Sequence, residues 1–264
     1  MQISLDTSKW YDRIWAAFIF FTRLPFWRLH QPEKEAYQTV VEHWPLVGWL
    51  TGASMGAVLY FGALVLPYEI AILLAILTRL LITGALHEDG LADFVDGFGG
   101  GGSNRQRILD IMKDSHIGTY GVISLILYFM LFFFALRSLN PEDAALTVVA
   151  VDPFAKMLSA QLIQMMPYAR TEETAKSHTV YRKFNMVAGI SLAVQGLLPM
   201  GIYIYMMYAR IDWQLLVFIP AIVMYFLYML IWRRLRGYTG DCCGAMFLIT
   251  ELATLLVASY YLSV

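Results

Sequence analysis

Long apolar runs separated by shorter polar segments dominate the chain. A helix needs about 20 apolar residues to cross the hydrocarbon core of a bilayer. Seven segments approach that length with few charges, and they run approximately over 44–66, 68–86, 119–139, 144–166, 187–209, 213–232 and 244–262. The pattern predicts an all-α fold, a polytopic membrane helix bundle with about seven transmembrane helices.

The first apolar run, 14–26, is shorter than these and contains Arg23 and Pro25. Its length and its arginine predict an interfacial or re-entrant N-terminal helix beside the bundle, not a further span. No internal repeat or shift of composition divides the chain. We therefore expect residues 1–264 to form a single integral membrane domain.

The composition agrees with membrane insertion. Hydrophobic residues make up 59% of the chain and charged residues only 15%, against about 25% charged residues in soluble domains. The net charge of -1 provides no basic field, so no nucleic-acid partner is expected. The adjacent Cys242 and Cys243 are interpreted as small packed residues, because neighbouring cysteines bridge only with strain and no further ligand accompanies them.

The positive charges predict the orientation in the membrane. If the N-terminus is cytoplasmic, most of the nineteen Lys and Arg residues lie on the cytoplasmic side, and the opposite side has only Arg137 and Arg210. Positive charge is retained in cytoplasmic loops. The same side carries the long polar segments 87–118, 167–186 and 233–243, and connections of that length are usually functional or disordered. We predict a cytoplasmic N-terminus and a cytoplasmic active site.

The densest polar cluster, 87–97, follows the second predicted span. If this segment is helical, Asp89, Asp93 and Asp96 share one helix face, since side chains three or four residues apart are neighbours. Like charges placed in this way repel one another, and a divalent cation with oxygen ligands would remove the repulsion. The spacing therefore predicts a Mg²⁺ site, and a solvated acidic helix face is the alternative.

Glycines and then a mixed polar segment follow the acidic cluster. The glycine-rich run 97–102 is interpreted as a mobile hinge, because glycine is conformationally permissive. The segment 105–121 combines cations, hydroxyl groups and glycines. It suits phosphate contacts, with Lys113 as a point charge and Ser115 as a hydrogen-bond donor. The two arginines that open the segment are explained equally well by anchoring on the positive side of the membrane.

A second polar island, 237–245, has three glycines around Asp241. It is interpreted as a tight loop between two spans, where the backbone can approach a ligand closely. Glu251 lies ten residues further on, inside the last predicted span. A carboxylate at membrane depth is costly unless it is paired. Its candidate partners are a metal ion, Arg79 and Lys156.

These polar segments carry a family resemblance. The chain resembles the cobalamin synthase family, also called adenosylcobinamide-GDP ribazoletransferases, nearly from end to end. The matching segments are Phe21-Thr22-Arg23-Leu24-Pro25, residues 87–97, residues 111–121, Tyr168-Ala169-Arg170, and Thr239-Gly240-Asp241 with Gly244, Ala245 and Glu251. The two central segments, in this order and at this spacing, are the most specific.

The resemblance implies an enzyme integral to the bacterial inner membrane, with Mg²⁺ as cofactor. Such an enzyme joins adenosylcobinamide-GDP to α-ribazole, or to α-ribazole 5′-phosphate, and releases GMP. The ribose hydroxyl of the acceptor would attack the phosphorus next to cobinamide. The lipid bilayer, a second copy of the chain and late cobalamin-pathway enzymes are the other expected partners. Metal carboxylates and cations fit this chemistry, because phosphoryl transfer depends on positioning and charge neutralisation.

Spacing and resemblance together nominate the site residues. The expected metal ligands are Asp89, Asp93 and Asp96. The catalytic candidates are Asp241, Glu251 and Asp96. The expected contacts to substrate or phosphate are Arg23, His87, Lys113, Asp114, Ser115 and Thr239.

Two positions depart from the family pattern. Trp27 stands where a second proline is usual, and Lys156 stands in the fourth span where an arginine is usual. Lysine cannot form the planar bidentate contact that arginine makes with phosphate. Since Asp152 lies four residues earlier, a structural intramembrane pair is an alternative role for Lys156.

Two other protein classes share some of these features. A CDP-alcohol phosphotransferase is also a membrane enzyme with clustered aspartates, but its motif requires arginine where this chain has Asp93. A cation transporter would also place carboxylates on its spans. Transporters usually show repeat symmetry and sites near the midplane, whereas here the acids cluster at the ends of the predicted spans.

Overall fold

The structure is a computed structural model that describes residues 9–170 and 180–263. Within these residues the chain forms ten α-helices and the two 3-10 helices Phe26–Arg28 and Lys34–His43. The α-helices are α1 Trp10–Phe21, α2 Trp44–Ala63, α3 Tyr68–Thr83, α4 Leu86–Gly100, α5 Arg105–Lys113, α6 Thr119–Arg137, α7 Pro141–Met165, α8 Met186–Met207, α9 Trp213–Leu235 and α10 Gly240–Leu262. The predicted all-α class is confirmed.

Among the described residues, six helices are long and apolar enough to span a membrane. They are α2 with the 3-10 helix before it, α6, α7, α8, α9 and α10. The α-helices end within a few residues of the predicted spans, and the 3-10 helix extends the first of them back to Lys34. Helices α3 and α4 pass the same test only as a pair that is bent by 89°. The protein is therefore an integral membrane protein with six spans, or up to seven if the bent pair counts as one.

The bend between α3 and α4 corrects the predicted span 68–86. Helix α3 ends at Thr83, and the next two residues, Gly84 and Ala85, have φ angles of 66° and 57°. A Cβ atom on Gly84 would lie 2.3 Å from Nε of Arg23, and the left-handed φ angle at this position also favours glycine. The backbone N–H of Arg23 also donates to the carbonyl of Ile82 over 2.7 Å. Contacts from the N-terminal segment thus accompany the bend that turns the acidic cluster away from α3.

Two other local predictions are wrong. The run 97–102 is not a hinge throughout, because α4 continues to Gly100 and packs against α5 through Gly97 and Gly101. The island 237–245 is not a loop throughout, because α10 already begins at Gly240. In both cases packing against a neighbouring helix outweighs the weak helix propensity of glycine.

Side-chain caps explain where five helices begin. Each cap accepts a hydrogen bond from a backbone N–H of the first turn, which otherwise has no partner in the helix. The caps are Asn104 for α5, Asn140 for α7, Asn185 for α8, Asp212 for α9 and Thr239 for α10.

Helices α7 and α10 form the buried centre of the bundle, whereas α6, α8 and α9 expose apolar side chains outward. On α2, glycines at 48, 52 and 56 form a stripe against α7. A Cβ on the first would lie 2.7 Å from Cα of Pro153, so the two backbones are in close contact. Beside this stripe Lys156 pairs with Asp152, which also accepts from Thr51 over 2.8 Å. The structural intramembrane pair is confirmed.

The long connections meet at one end of the bundle. Residues from the end of α1, the start of α2, the start of α4, the segment after α7 and the start of α10 line one cavity there. Of the predicted segment 167–186, residues 171–179 lie outside the described part of the chain. At the other end the connections 64–67, 138–140 and 208–212 are short. Arg137 and Arg210 lie at that end and pair with Glu69 and Asp143.

Candidate active site

The crossing of α4 and α10 is the basis of the candidate site. Gly90 on α4 faces Gly244 on α10, and a Cβ on Gly90 would lie 3.2 Å from Cα of Asp241 and 3.5 Å from Cα of Gly244. A Cβ on Gly244 would in turn lie 3.2 Å from the carbonyl oxygen of His87. Because both residues are glycines, α4, which carries the acidic cluster, can lie against the first turns of α10.

A cavity of about 140 Å³ opens beside this crossing. Four residues nominated from the sequence line it together: His87 and Asp89 from α4, and Thr239 and Asp241 from α10. Five aromatic side chains form a further part of the wall. They are Phe20, Phe21, Trp44, Tyr168 and Tyr181. The cavity therefore combines two carboxylates with planar apolar surfaces.

A short bridge attaches the segment after α7 to the start of α10. The N–H of Ala169 donates to the carbonyl of Tyr238 over 2.8 Å, and the N–H of Tyr238 donates to the carbonyl of Pro167 over 3.0 Å. Thr239 caps α10 and its hydroxyl lies 3.3 Å from Oδ2 of Asp241. Asp241 is thus held at a helix start, where backbone N–H groups favour negative charge.

Two tyrosines in the cavity wall keep their protons. Burial raises the pKa of Tyr168 to about 12, and burial also raises the pKa of Tyr181 well above its usual value. Both phenols are therefore neutral near pH 7 and can act as hydrogen-bond donors. Sequence reasoning missed Tyr181 and Trp44, whereas Phe21 and Tyr168 lie in segments that match the family pattern.

His87 lies in the cavity wall with only 2% of its surface exposed. Its ring stacks on Trp44 with 5.7 Å between ring centroids and meets the edge of Phe247 at 4.8 Å. Within the described part of the chain neither ring nitrogen has a hydrogen-bond partner. Since buried polar atoms are usually paired, the unpaired nitrogens favour a contact to a bound molecule.

Asp96 has a defined structural contact. One carboxylate oxygen accepts the N–H of Gly118 over 2.7 Å, and the other accepts the N–H of Gly121 over 2.9 Å. Cβ atoms on these glycines would lie 2.5 Å and 2.4 Å from the carboxylate oxygens, so larger residues do not fit. Asp96 therefore joins α4 to the start of α6, and its metal or catalytic role stays a prediction.

Asp93 lies between Asp89 and Asp96 on α4 and is half-buried. Among residues 9–170 and 180–263, no group of three or more His, Cys, Asp or Glu side chains is placed to hold a metal ion. Metal ligation by these three aspartates stays a prediction.

The remaining phosphate candidates lie around the cavity and not in it. Lys113, Asp114 and Ser115 are exposed between α5 and α6. The side chain of His116 hydrogen-bonds Asp114 over 2.7 Å and lowers the pKa of that carboxyl. Arg23 packs against Gly84 at the bend between α3 and α4 and does not line the cavity.

Glu251 lies deep in the bundle, about 15 Å beyond Asp241 along α10 by helix rise. Nη1 of Arg79 donates to both of its carboxylate oxygens at 2.7 Å, and the hydroxyl of Tyr128 donates at 2.8 Å. Of the three candidate partners named from the sequence, Arg79 is the one that pairs with Glu251. Glu251 does not line the cavity, and its catalytic role stays a prediction.

A second cleft of about 280 Å³ adjoins the cavity. Its lining includes Arg105, Gln106, Asp110 and Lys113 from α5, and Arg170 from the segment after α7. Arg170 lines both the cleft and the cavity. Arg170 therefore lines the cleft together with Lys113, a predicted phosphate contact, and lines the cavity together with Asp89 and Asp241.

Fold and site together define a polytopic α-helical membrane protein with an acidic, aromatic-walled cavity at one end of its bundle, next to a basic cleft. The chain belongs to the cobalamin-5-phosphate synthase family, which it matches over residues 13–259. The predicted family is confirmed.

Individual relatives support the assignment. The chain is 33% identical over 249 residues to an adenosylcobinamide-GDP ribazoletransferase of Leptospira interrogans, covering 93% of both chains. It is 34% identical over 248 residues to the protein of that name from Vibrio vulnificus, covering 94% of this chain and 95% of the relative. A Shewanella frigidimarina protein of the same name is 31% identical over 259 residues, covering 94% and 95%. No solved structure shows significant similarity to the chain.

Proposed function

We propose that the protein joins adenosylcobinamide-GDP to α-ribazole or α-ribazole 5′-phosphate and releases GMP. Family membership and the names of the relatives support this activity. The observation that carries the proposal is the crossing of α4 and α10, which brings Asp89 and Asp241 into the wall of one cavity. The oxygen of the acceptor hydroxyl forms a bond to the phosphorus next to cobinamide, and the bond from that phosphorus to the oxygen of GMP breaks.

The donor chemistry of the cavity fits Mg²⁺. This ion usually keeps several waters and binds through one or two protein carboxylates together with substrate phosphates. Asp89 and Asp241 would hold it, and Asp93, one helical turn after Asp89 on α4, is a further candidate ligand. When bound, the ion neutralises charge on the diphosphate. A complete all-protein ligand set is therefore not required.

The protein supplies proton transfer and exclusion of water. The attacking hydroxyl must lose its proton, and the first candidate to accept it in the cavity wall is Asp241, through the carboxylate oxygen that would not hold the ion. The neutral phenols of Tyr168 and Tyr181 donate hydrogen bonds within the same cavity. The aromatic wall leaves little room for water beside the acceptor, which favours transfer to the acceptor over hydrolysis.

Turnover by detergent-purified protein tests this proposal. Adenosylcobinamide-GDP and α-ribazole 5′-phosphate are supplied with Mg²⁺ and then with EDTA, and GMP and the corrinoid product are followed by mass. Formation of the joined corrinoid only with Mg²⁺ is the expected result. No product from folded, monodisperse protein would contradict the proposed function.

Aspartate variants test the residue roles. Asp89→Asn, Asp93→Asn and Asp241→Asn should each lower turnover by about a hundredfold or more while the fold stays intact, since an amide is a weak metal ligand and no base. Asp212→Asn is the matched control, because this cap of α9 lies at the other end of the bundle and asparagine caps equally well. Full activity of Asp89→Asn and Asp241→Asn would remove the metal assignment.

The proposed location is the bacterial inner membrane, with the cavity on the cytoplasmic side. The concentration of Lys and Arg at the cavity end supports this orientation. Ser103→Cys lies in the exposed connection after α4, and Glu142→Cys lies exposed at the opposite end. In intact cells a membrane-impermeant maleimide should label Glu142→Cys and leave Ser103→Cys unlabelled. The reverse pattern would contradict the orientation.

A further inference from the structure

The basic cleft beside the cavity has an excess of positive charge. Arg105, Lys113 and Arg170 contribute three cations, whereas Asp110 is the one carboxylate among its lining residues in the described part of the chain. One oxygen of that carboxylate accepts a hydrogen bond from the amide of Gln106 over 2.8 Å. With a volume of about 280 Å³, the cleft offers an anion several cationic donors at once.

Backbone carbonyls hold the two guanidinium groups in place. Arg105 donates from Nε to the carbonyl of Leu235 over 2.7 Å and from Nη2 to the carbonyl of Ala169 over 2.6 Å. Arg170 donates from Nη2 to the carbonyl of Leu109 over 2.8 Å. In the described part of the chain neither guanidinium pairs with a carboxylate.

These contacts orient the charges without neutralising them. A guanidinium has five N–H donors, so the carbonyl contacts of Arg105 and Arg170 leave donors for an anion. Because less side-chain freedom is lost on binding, fixed guanidinium groups are well suited to recognise phosphate. The cleft therefore has the features of a prepared phosphate site.

Arg170 connects this cleft with the acidic cavity, since it lines both. We propose that the cleft formed by Arg105, Lys113 and Arg170 binds the nucleotide phosphates of the GDP-linked donor, an inference that rests on the proposed function. The departing GMP phosphate then lies on the α5 side of Arg170, and the acceptor occupies the cavity with Asp89 and Asp241. The two substrates approach the transferring phosphorus from different sides of one arginine.

A lipid headgroup presents the same phosphate chemistry to a cleft on a membrane protein. Continuity with the cavity through Arg170 favours the nucleotide, because a lipid phosphate would need no connection to the carboxylates. The test therefore compares GMP with anionic lipid as the source of the phosphate.

Arg105→Gln and its matched control Arg107→Gln provide the first test. Both remove one positive charge from α5, but Arg107 is exposed and does not line the cleft. Arg105→Gln should raise the KM for adenosylcobinamide-GDP about tenfold or more, as expected for loss of a charge-assisted hydrogen bond. The KM for the acceptor and both constants of Arg107→Gln should stay near wild type.

Lys113→Gln tests the cleft with a variant that is not expected to disturb the fold. Arg105 connects α5 to two other segments, so its loss can destabilise the protein, whereas the Lys113 side chain is exposed. Lys113→Gln should also raise the KM for the donor selectively. A second readout is the affinity of the purified protein for GMP alone, which both cleft variants should lower and Arg107→Gln should not.

The outcomes separate the two proposals. If the wild type turns over but the cleft variants keep their donor KM and GMP affinity, the cleft assignment is overturned and the proposed function stands. If the variants lose only stimulation by added phosphatidylglycerol, the cleft binds lipid and the assignment is likewise overturned. If the wild type does not turn over, GMP binding still decides whether the cleft recognises a nucleotide phosphate.

Discussion

Gly90 of α4 and Gly244 of α10 face each other with no side chain between them. A Cβ on Gly90 would lie 3.5 Å from Cα of Gly244 and 3.2 Å from Cα of Asp241. The spacing of the two helices, and with it the relation of Asp89 to Asp241, therefore depends on the absence of two Cβ atoms. Small residues at helix crossings are a general means of close packing in membranes.

Enlarging Gly90 should separate the carboxylates and lower turnover. Gly90→Ala should have a moderate effect, because a contact near 3.2 Å can relax by small shifts. Gly90→Val should cost about 1–3 kcal/mol of stability through overpacking and should lower kcat more than it changes either KM. Turnover and the midpoint of thermal unfolding in detergent measure both effects.

Gly201→Ala is the control for that series, because a Cβ there would meet no atom within 4 Å. It should be neutral in stability and activity. A Gly90→Val protein with wild-type kcat would show that the close crossing is not needed for catalysis.

Asp96→Asn should destabilise the start of α6. The carboxylate accepts the N–H groups of both Gly118 and Gly121, whereas an amide presents one oxygen and one donor. Loss of a charge-assisted cap should cost about 1–3 kcal/mol. Thermal unfolding and faster hydrogen exchange at Gly118 and Gly121 measure this loss. A role as metal ligand alone predicts instead lower turnover with unchanged stability.

Much of the architecture could be predicted because membrane spans are defined by length and hydropathy, which are properties of a segment. The bend after α3 could not be predicted in this way. The run 68–86 has only two charged residues, Glu69 and Arg79, and the turn at Gly84 packs against Arg23, which is distant in sequence. The hydropathy pattern of a single span carries no information about its contacts with a distant segment.

The candidate site, like the fold, could be predicted only in part. A buried carboxylate must find a partner, so Glu251 and Arg79 could be paired as one option from sequence. The choice among several partners depends on helix rotation, which only the packed bundle determines. The aromatic wall escaped prediction because Trp44 and Tyr181 have no distinctive neighbours in sequence.

Arg79→Met should be among the most destabilising single changes. It removes the cation that pairs with Glu251 and lies 3.4 Å from Glu88, and all three side chains are buried. An uncompensated buried charge costs about 3–5 kcal/mol. Unfolding of the purified variant measures this cost, and poor yield of folded protein would agree with it.

The double variant Arg79→Met with Glu251→Leu separates structure from catalysis. It should be more stable than Arg79→Met alone, since one of the two carboxylates is removed with the arginine. If Glu251 is only a partner of Arg79, the folded double variant should keep measurable turnover. A well-folded but inactive double variant would support the catalytic role predicted for Glu251.

His87→Phe should weaken substrate binding without weakening the fold. Phenylalanine can keep the stacking on Trp44 and the edge contact with Phe247, and swaps of similar volume usually cost less than about 1.5 kcal/mol. It removes the two ring nitrogens, which have no hydrogen-bond partner in the described part of the chain. If one of them contacts the acceptor, the acceptor KM should rise about three- to tenfold, the range expected for one neutral hydrogen bond. Steady-state kinetics with each substrate varied in turn measure this. A variant with lowered stability and an unchanged acceptor KM would show that His87 contributes only packing.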